Sequence, residues 1–173
     1  MKYFLSLGSN VGDRRDYLIR ALAALKKGGI KVLRSSSLYL TQPVGFTAQR
    51  WFCNQVIEAS TDLEPLDLLA LIKEVEKNLG RRPALKNRPR TIDIDILMAE
   101  DRTVATEYLV IPHPRMAERN FVLVPLAEIA PEAVHPTLKK RISDLYKTSK
   151  DSSQVIRMPK EAGRASSKGP RKQ

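Results

Sequence analysis

The order of apolar patterns along the chain predicts an α+β fold. If alternating stretches are strands and three-to-four-residue repeats are helices, the order is strand, helix, two strands, helix, strand. This βαββαβ order is typical of a ferredoxin-like sandwich, here with additional C-terminal elements. The length of 173 residues fits one domain, and glycines and prolines separate the patterns where elements should end.

The first part of the chain predicts a strand followed by a helix. Residues 2–7 form the strand, and residues 8–13 provide a turn and a helix-capping position. Leucines at helical spacing then predict one buried helix face; they are Leu18, Leu22 and Leu25. Gly28-Gly29 ends the helix before a second strand at about residues 30–40.

The middle of the chain predicts a third strand and a second helix. A loop at residues 41–45 is followed by a strand at residues 52–60. The helix begins at Pro65, a residue favoured in a first turn, and Gly80 stops it. Its apolar residues share one face: Leu68, Leu69, Ile72, Val75 and Leu79.

An acidic strand at residues 92–97 is the segment most informative about function. Alternation sends its three isoleucines into the core and sends Asp93 and Asp95 together to the opposite face. Five Lys or Arg residues precede it within residues 81–90, which we expect to form an exposed loop. Paired carboxylates beside arginines indicate a magnesium–polyphosphate site. The alternative is an edge strand with a solvated acidic face and an incidental basic loop.

The C-terminal part predicts a folded portion and a tail. Residues 108–114 should be extended, and residues 121–129 should form a compact apolar helix that contains Pro125. We predict one domain over residues 1–146. Residues 147–173 carry eight Lys or Arg against two acidic residues and few apolar side chains, so we expect a basic, disordered tail.

Composition limits the class of protein. The longest apolar runs are far shorter than the roughly 20 residues of a membrane span, so no membrane association is expected. The N-terminal stretch becomes polar too soon for a signal peptide, which favours a cytoplasmic location. Cys53 is the single cysteine and permits no internal disulfide.

The net charge of +11 raises the alternative of an RNA-binding module. The tail contributes +6 of it, which leaves +5 for residues 1–146. An RNA-recognition sheet predicts a cluster of exposed aromatic residues that this sequence lacks. An acidic face with Asp93 and Asp95 also repels phosphate unless a metal is bound. We therefore expect small-molecule partners, with weak polyanion binding by the tail at most.

Short segments in a fixed order carry a family resemblance. The chain has neither a P-loop nor a Gly-x-Gly-x-x-Gly motif. It contains, in order, Gly8-Ser9-Asn10, Thr41-x-Pro43-x-Gly45, Phe52-x-Asn54, Glu76-x-x-x-Gly80-Arg81, Pro89-Arg90-Thr91-Ile92-Asp93-Ile94-Asp95, and Pro112-His113-Pro114 through Arg119-x-Phe121. Over about residues 3–146 this series resembles the 6-hydroxymethyl-7,8-dihydropterin pyrophosphokinase family. The run from Pro89 to Asp95 is its most specific part.

The resemblance implies an enzyme that requires ATP and magnesium. Members of the family transfer pyrophosphate from ATP to 6-hydroxymethyl-7,8-dihydropterin in folate biosynthesis and release AMP, and three flexible loops close over the substrates. By resemblance, Asp93 and Asp95 hold two Mg²⁺ ions, and Arg81 and Arg90 act beside them as catalytic, phosphate-binding residues. The expected ATP-binding residues are Arg81, Lys86, Arg90, Ile96, His113 and Arg119.

The resemblance also implies a pterin site. Its expected residues are Thr41, Pro43, Val44, Gly45, Phe52, Asn54 and Phe121. Two aromatic rings suit a flat heterocycle, and the amide of Asn54 offers both donors and an acceptor to the ring edge. The chain departs from the family pattern at Asn87-Arg88, where an aromatic residue followed by Gly is frequent. We expect a monomer, and the sequence identifies no general base beyond the candidates Asp93 and Asp95.

Overall fold

The N-terminal strand forms the centre of the sheet because both of its faces are covered. In the computed structural model, which describes residues 1–82, 88–100 and 102–159, every residue of β1 (Lys2–Ser9) except the first is buried. Tyr3, Leu5 and Leu7 enter one apolar core, and Phe4 enters another on the opposite face. The alternation of this strand therefore creates a sheet with helices on both sides.

The elements follow the predicted βαββαβ order except that two strands, β2 and β3, replace the predicted second strand, and the chain continues beyond that order. After β1 come α1 (Arg14–Lys27), β2 (Lys31–Ser35), β3 (Tyr39–Thr41), β4 (Phe52–Ser60), α2 (Pro65–Asn78) and β5 (Asp93–Ala99). The chain then forms β6 (Val104–Ala105), β7 (Val110–Ile111), a short 3-10 helix (Met116–Glu118), α3 (Asn120–Ile129), α4 (Ile142–Lys147) and β8 (Val155–Arg157). None of the helices in the described residues has the length and hydropathy of a membrane span.

The strands of the main sheet pair antiparallel in the order β5-β1-β4-β3-β8, and β2 pairs with β4 beside β3. The predicted second strand is thus divided in two. Ser36, between the two pieces, keeps both on the same edge of β4. Its amide donates to the Val56 carbonyl at 2.9 Å, and its Oγ accepts from the Val56 amide at 3.0 Å. The β6–β7 hairpin forms a separate small sheet.

Two apolar cores lie on opposite faces of the main sheet. Helices α1 and α2 cover the first face, where the predicted stripe residues Leu18, Leu25, Leu68, Ile72 and Val75 are buried. The other stripe residues, Leu22, Leu69 and Leu79, are only partly buried at the border of this core. Helices α3 and α4 cover the second face, against Phe4 and Val56.

The ends of the two predicted helices follow from local chemistry. Asp13 caps α1, and its Oδ1 accepts from the Asp16 amide at 3.1 Å, as the sequence predicts. Gly80 follows α2 with a φ of 84°, a conformation that favours glycine. The next amide, that of Arg81, donates to the Glu76 carbonyl at 3.0 Å. This turn directs Arg81 towards β5.

The C-terminal segment corrects the sequence analysis. Residues 147–159 were expected to be disordered, yet β8 pairs with β3, and Met158 packs against the first core with its Sδ 3.7 Å from the Cys53 Sγ. Composition missed this segment because backbone hydrogen bonds to a distant strand hold it, with Met158 as its apolar contact to the core. The domain therefore extends at least to Pro159. Residues 160–173 lie outside the described residues.

Ile156→Pro should lower the Tm, whereas Val155→Pro should change it little. The Met158 amide donates to the Leu38 carbonyl at 2.8 Å, so alternation points the Ile156 amide at β3 and the Val155 amide away from it. Proline lacks the N–H, so the first variant loses a ladder bond and should lose about 1–2 kcal/mol of stability. Calorimetry should show a fall of roughly 3–8 °C. Equal Tm values for the two variants would contradict the register of β8.

Candidate active site

A cavity of about 320 Å³ opens on the face of the sheet that carries α3. Three paired strands supply its floor: Gly8 of β1 lies between Asn54 of β4 and Asp93 of β5, and Ser6 pairs with Asp95. The walls consist of Thr41, Gln42, Val44, Gly45, Gln49, Phe52, Lys73, Arg81, Arg88, Arg90, His113, Arg115, Arg119 and Phe121. The volume is in the range of small-molecule sites.

Positive charge dominates the lining of this cavity. Its cationic side chains are Lys73, Arg81, Arg88, Arg90, Arg115 and Arg119. Its carboxylates are Asp93 and Asp95, which share the cavity face of β5 while Ile94 between them is buried in the first core. The excess of cations raises the local potential and favours an anionic ligand such as a polyphosphate.

Asp93 is bound by arginines that precede β5 in the chain. Arg81 Nη1 lies 2.7 Å from Asp93 Oδ1, and Arg90 Nη1 donates to Asp93 Oδ2. The Arg90 amide donates to Asn10 Oδ1 at 2.8 Å, and the buried Asn10 also donates from Nδ2 to Gln49 Oε1 at 2.9 Å. The turn after β1 therefore fixes the backbone of Arg90 beside the carboxylate.

Glu76 of α2 is a buried carboxylate that links the second helix to this arrangement. Its Oε1 accepts from the Ile94 amide at 2.8 Å and from Arg81 Nη1, and its Oε2 accepts from Lys73 Nζ at 3.0 Å. With these partners the buried charge is compensated. Arg81 consequently bridges Glu76 and Asp93.

Asp95 has a different environment from Asp93. Burial and the neighbouring Asp93 carboxylate raise the pKa of Asp95 to about 6, and Lys73 only partly opposes them. The ionised form of Asp95 is therefore under-compensated in the protein alone. An added cation would relieve this excess of negative charge.

His113 and Arg119 line another part of the cavity wall, contributed by the chain after β7. The His113 amide donates to the Leu97 carbonyl at 2.8 Å, and its Nδ1 accepts from the Arg115 amide at 3.1 Å. Burial, together with Arg119 and Arg115, lowers the pKa of His113. The ring is therefore neutral at pH 7, with its proton on Nε2 available to a ligand oxygen. The Arg119 guanidinium lies 5.4 Å from the Phe121 ring centroid.

Asn54 is oriented by a neighbour on β3 and by the absence of a side chain on β1. Its Nδ2 donates to Thr41 Oγ1 at 2.5 Å. A Cβ at Gly8 would lie 2.3 Å from Asn54 Oδ1, so only glycine leaves room for this amide. Phe52 of β4 and Phe121 of α3 bring their rings to the same cavity.

Comparison with known proteins identifies the family. A sequence model described as 7,8-dihydro-6-hydroxymethylpterin-pyrophosphokinase (HPPK) matches residues 4–131. The chain belongs to this family. A Bacillus subtilis (strain 168) 2-amino-4-hydroxy-6-hydroxymethyldihydropteridine pyrophosphokinase is 46% identical over 127 residues, 73% of this chain and 76% of that protein. The Aquifex aeolicus (strain VF5) protein of the same name is 41% identical over 141 residues, 82% of this chain and 88% of that protein.

Solved structures show the same fold. A crystal structure of wild-type Plasmodium falciparum HPPK-DHPS with pterin and p-hydroxybenzoate has a TM-score of 0.68 at 20% identity, over 84% of this chain. The chain spans 42% of that longer chain. As a member of the pyrophosphokinase family, the chain transfers pyrophosphate from ATP to the hydroxymethyl group of 6-hydroxymethyl-7,8-dihydropterin, in folate biosynthesis.

The structure brings most residues predicted for the pyrophosphokinase site to the cavity. They are Thr41, Val44, Gly45, Phe52, Asn54, Arg81, Arg90, Asp93, Asp95, His113, Arg119 and Phe121. Ile96 and Pro43 do not line it. Ile96 alternates with Asp95, so its side chain enters the first core, and Pro43 is buried. Lys86 lies outside the described residues.

Other lining or supporting residues had no predicted role. Asn10 belongs to the quoted Gly-Ser-Asn segment, but its bond to Arg90 joins positions 80 residues apart and leaves no local signal. Lys73 precedes Glu76 by three residues on α2, a spacing that places both on one helix face. The Lys73–Glu76 spacing was therefore the sequence feature from which a charged side chain of α2 at the site could have been predicted.

Asp95→Asn should raise the Tm of the metal-free protein at about pH 7.5, whereas Asp93→Asn should lower it. The folded pKa of Asp95, about 6, exceeds the ordinary 3.8, so stability falls as pH rises between these values. Removing the charge should recover about 1–3 kcal/mol. Asp93→Asn instead deprives Arg81 and Arg90 of their shared acceptor.

Thermal unfolding at two pH values measures this contrast. The gain from Asp95→Asn should shrink as the pH falls below 6 and disappear at about pH 2.5, well below the ordinary 3.8, where Asp95 is protonated in both states. A fall in Tm for both variants at neutral pH, or a gain that persists in acid, would contradict the environment assigned to Asp95.

Proposed function

We propose that the pyrophosphokinase reaction of this chain is magnesium-dependent, with Asp93 and Asp95 as the ligands of two ions beside ATP. The observation that carries the proposal is the shared face of these two carboxylates within a cavity whose other charged lining residues are lysine and arginines. A cavity with this charge pattern suits a metal–triphosphate complex better than it suits a neutral or cationic ligand.

The residues present fit magnesium. Asp95 is under-compensated, as its raised pKa indicates, and carboxylate oxygens are the ligands that Mg²⁺ prefers. No group of three or more His, Cys, Asp or Glu within the described residues forms a complete metal cage. This too suits Mg²⁺, which commonly takes one or two carboxylates and completes its shell with substrate phosphates and water. Bound there, the ions would neutralise phosphate charge during the transfer.

The protein contributes positioning and charge to the transfer. The pterin hydroxymethyl oxygen forms a bond to the β-phosphorus of ATP, the bond from that phosphorus to the α–β bridging oxygen breaks, and AMP leaves while the hydroxyl proton is released. Arg81 and Arg90 exchange Asp93 for phosphate oxygens and stabilise the charge that develops. His113, through Nε2–H, and Arg119 hold the nucleotide on their part of the cavity wall.

The pterin ring occupies the end of the cavity near β3 and β4. Phe52 and Phe121 enclose its faces, as aromatic rings do with planar heterocycles. Asn54 accepts a hydrogen bond from the ring edge with Oδ1 while its Nδ2 donates to Thr41. The loop with Val44 and Gly45 adds backbone contacts. Glycine at position 8 makes this orientation of Asn54 possible.

Residues 88–92, which precede β5, close over the nucleotide. Arg88, where the family frequently has an aromatic residue, places its guanidinium 4.8 Å from the Phe46 ring centroid in the loop after β3. A cation–π contact of this kind joins two loops at the mouth of the cavity. The negative charge of ATP draws Arg88 inward, and the two loops close with it.

The fold class and the oligomeric state can also be proposed. We assign the core to the ferredoxin-like class, because the βαββαβ order and the packing of α1 and α2 on one face of an antiparallel sheet support it. We also propose a monomer, since one described chain supplies every element of the cavity. A cytoplasmic location stays a prediction.

AMP release from ATP should require both the pterin alcohol and Mg²⁺. Asp93→Asn and Asp95→Asn should each reduce turnover by at least about 100-fold, since each removes a ligand charge where phosphate charge must be balanced. Asp62→Asn, at an exposed position far from the cavity, is the matched control. Chromatography of the nucleotides measures the reaction, and turnover of either variant within threefold of wild type would refute the metal assignment.

Gly8→Ala should weaken pterin binding by about tenfold or more through Asn54. The added methyl group occupies the position of the Asn54 amide oxygen, so the amide must turn away. A double-mutant cycle with Asn54→Ala isolates this effect, because the two losses should not add if both act on one contact. Fluorescence titration of the pterin measures the affinity. Additive losses would show that Gly8 acts elsewhere.

A further inference from the structure

The segment after α4 contacts two elements that supply residues to the cavity walls, α3 and the loop after β3. It follows residue 131, where the match to the family model ends. Two residues separate its two contact points, Asp151 and Gln154. One contact is made to the start of α3 and the other to the loop after β3.

Asp151 supplies the cap that α3 lacks in its own sequence. Arg119 occupies the N-cap position but makes no side-chain capping bond. Asp151 Oδ2 instead accepts from the Asn120 amide at 2.7 Å, and the Asp151 carbonyl accepts from Asn120 Nδ2 at 2.6 Å. A helix start without such an acceptor leaves amide groups unsatisfied. Asn120 stands between Arg119 and Phe121, which both line the cavity.

The Asp151 side chain is itself held in place. Its Oδ1 accepts from the Ser153 amide at 2.9 Å, and its own amide donates to Ser149 Oγ at 3.2 Å. Burial acts to raise the pKa of Asp151, but the amides of Asn120 and Ser153 outweigh it and lower that pKa. The carboxylate is therefore ionised at neutral pH, the form in which it accepts from amides most strongly.

The second contact point, Gln154, holds the loop after β3. The Gln42 amide donates to the Gln154 carbonyl at 3.0 Å, and the Gln154 amide donates to Gln42 Oε1 at 3.2 Å. The next pair along the ladder is Thr41 with Val155. Thr41 is the residue whose Oγ1 holds Asn54. One short stretch of chain therefore ties the position of Phe121 to that of Thr41 and Asn54.

We propose that Asp151 is a positioning residue for pterin binding, because it fixes the start of α3 relative to the loop after β3. The inference rests on the proposed function in one respect, namely that Phe121 and Asn54 contact the pterin. Without the Asp151 carboxylate, the first turn of α3 loses its acceptor, and the Phe121 ring loses its fixed distance from the Asn54 amide.

Asp151→Ala in the full chain should weaken pterin binding by about tenfold, a loss of the size expected for one charge-assisted bond. Asp151→Asn should restore affinity to within about threefold, because its amide oxygen can still accept from Asn120. Asp144→Ala removes an exposed carboxylate of α4 and should leave affinity unchanged. Pterin fluorescence titration with a non-hydrolysable ATP analogue and Mg²⁺ gives the affinities.

A variant that is destabilised elsewhere distinguishes a positioning role of Asp151 from a general loss of stability. Leu145→Ala removes a side chain from the second core and should lower the Tm at least as much as Asp151→Ala. Positioning predicts that only Asp151→Ala weakens pterin binding at a temperature well below both transitions. Equal weakening by both variants would overturn the proposal. If Asp151→Ala does not fold, Asn120→Asp tests the neighbouring contact, because a carboxylate there repels the Asp151 carbonyl oxygen that now accepts from Asn120 Nδ2; unchanged affinity there would overturn the proposal.

Phe121→Ala distinguishes failure of this inference from failure of the proposed function. Weak binding by Phe121→Ala with normal binding by Asp151→Ala would overturn the positioning role alone. Normal binding by Phe121→Ala would overturn the pterin assignment of Phe121 and the positioning role with it. Weak binding by both variants, with rescue by Asp151→Asn, is the expected result.

Discussion

The antiparallel register of β1 with its two neighbours decides where the chemistry can occur. Gly8 pairs with both Asn54 and Asp93, so the proposed pterin-reading amide and the proposed metal ligand lie in one row across three strands. Strands about 4.8 Å apart place the outer two members of the row roughly 10 Å from each other, which suits two substrates that react end to end. A slip of one residue in either pairing would move one of these groups into the apolar core.

Several charged groups of the site are paired with one another before any substrate arrives. Arg81 is shared by Glu76 and Asp93, and Arg90 is bound to Asp93. Binding of ATP therefore exchanges one set of anionic partners for another, which costs less than assembling unpaired charges would. Asp95 lacks such compensation, as its raised pKa indicates. The carboxylate proposed to bind metal therefore destabilises the unliganded protein.

Sequence patterns were sufficient for features whose cause is local. Alternation located the face of Asp93 and Asp95, and helical spacing with Pro65 and Gly80 gave the bounds of α2. They were insufficient where the partner is distant in the chain. The β8 strand exists because β3 offers an unpaired edge, and the α3 cap comes from Asp151, 31 residues beyond Asn120. Burial of Glu76 likewise depends on an amide of β5 that helical periodicity does not reveal.

The contacts of β5 also bear on self-association of the folded chain. This strand is the last of the sheet on its side, and the exposed backbone of such a strand can recruit a strand from another molecule. Here the Glu76 carboxylate takes the Ile94 amide, and the His113 amide takes the Leu97 carbonyl. Glu76, which holds Arg81, and His113, which lines the cavity, therefore also block intermolecular strand addition at this edge. A substitution at Glu76 would expose the protein to aggregation as well as loosen Arg81.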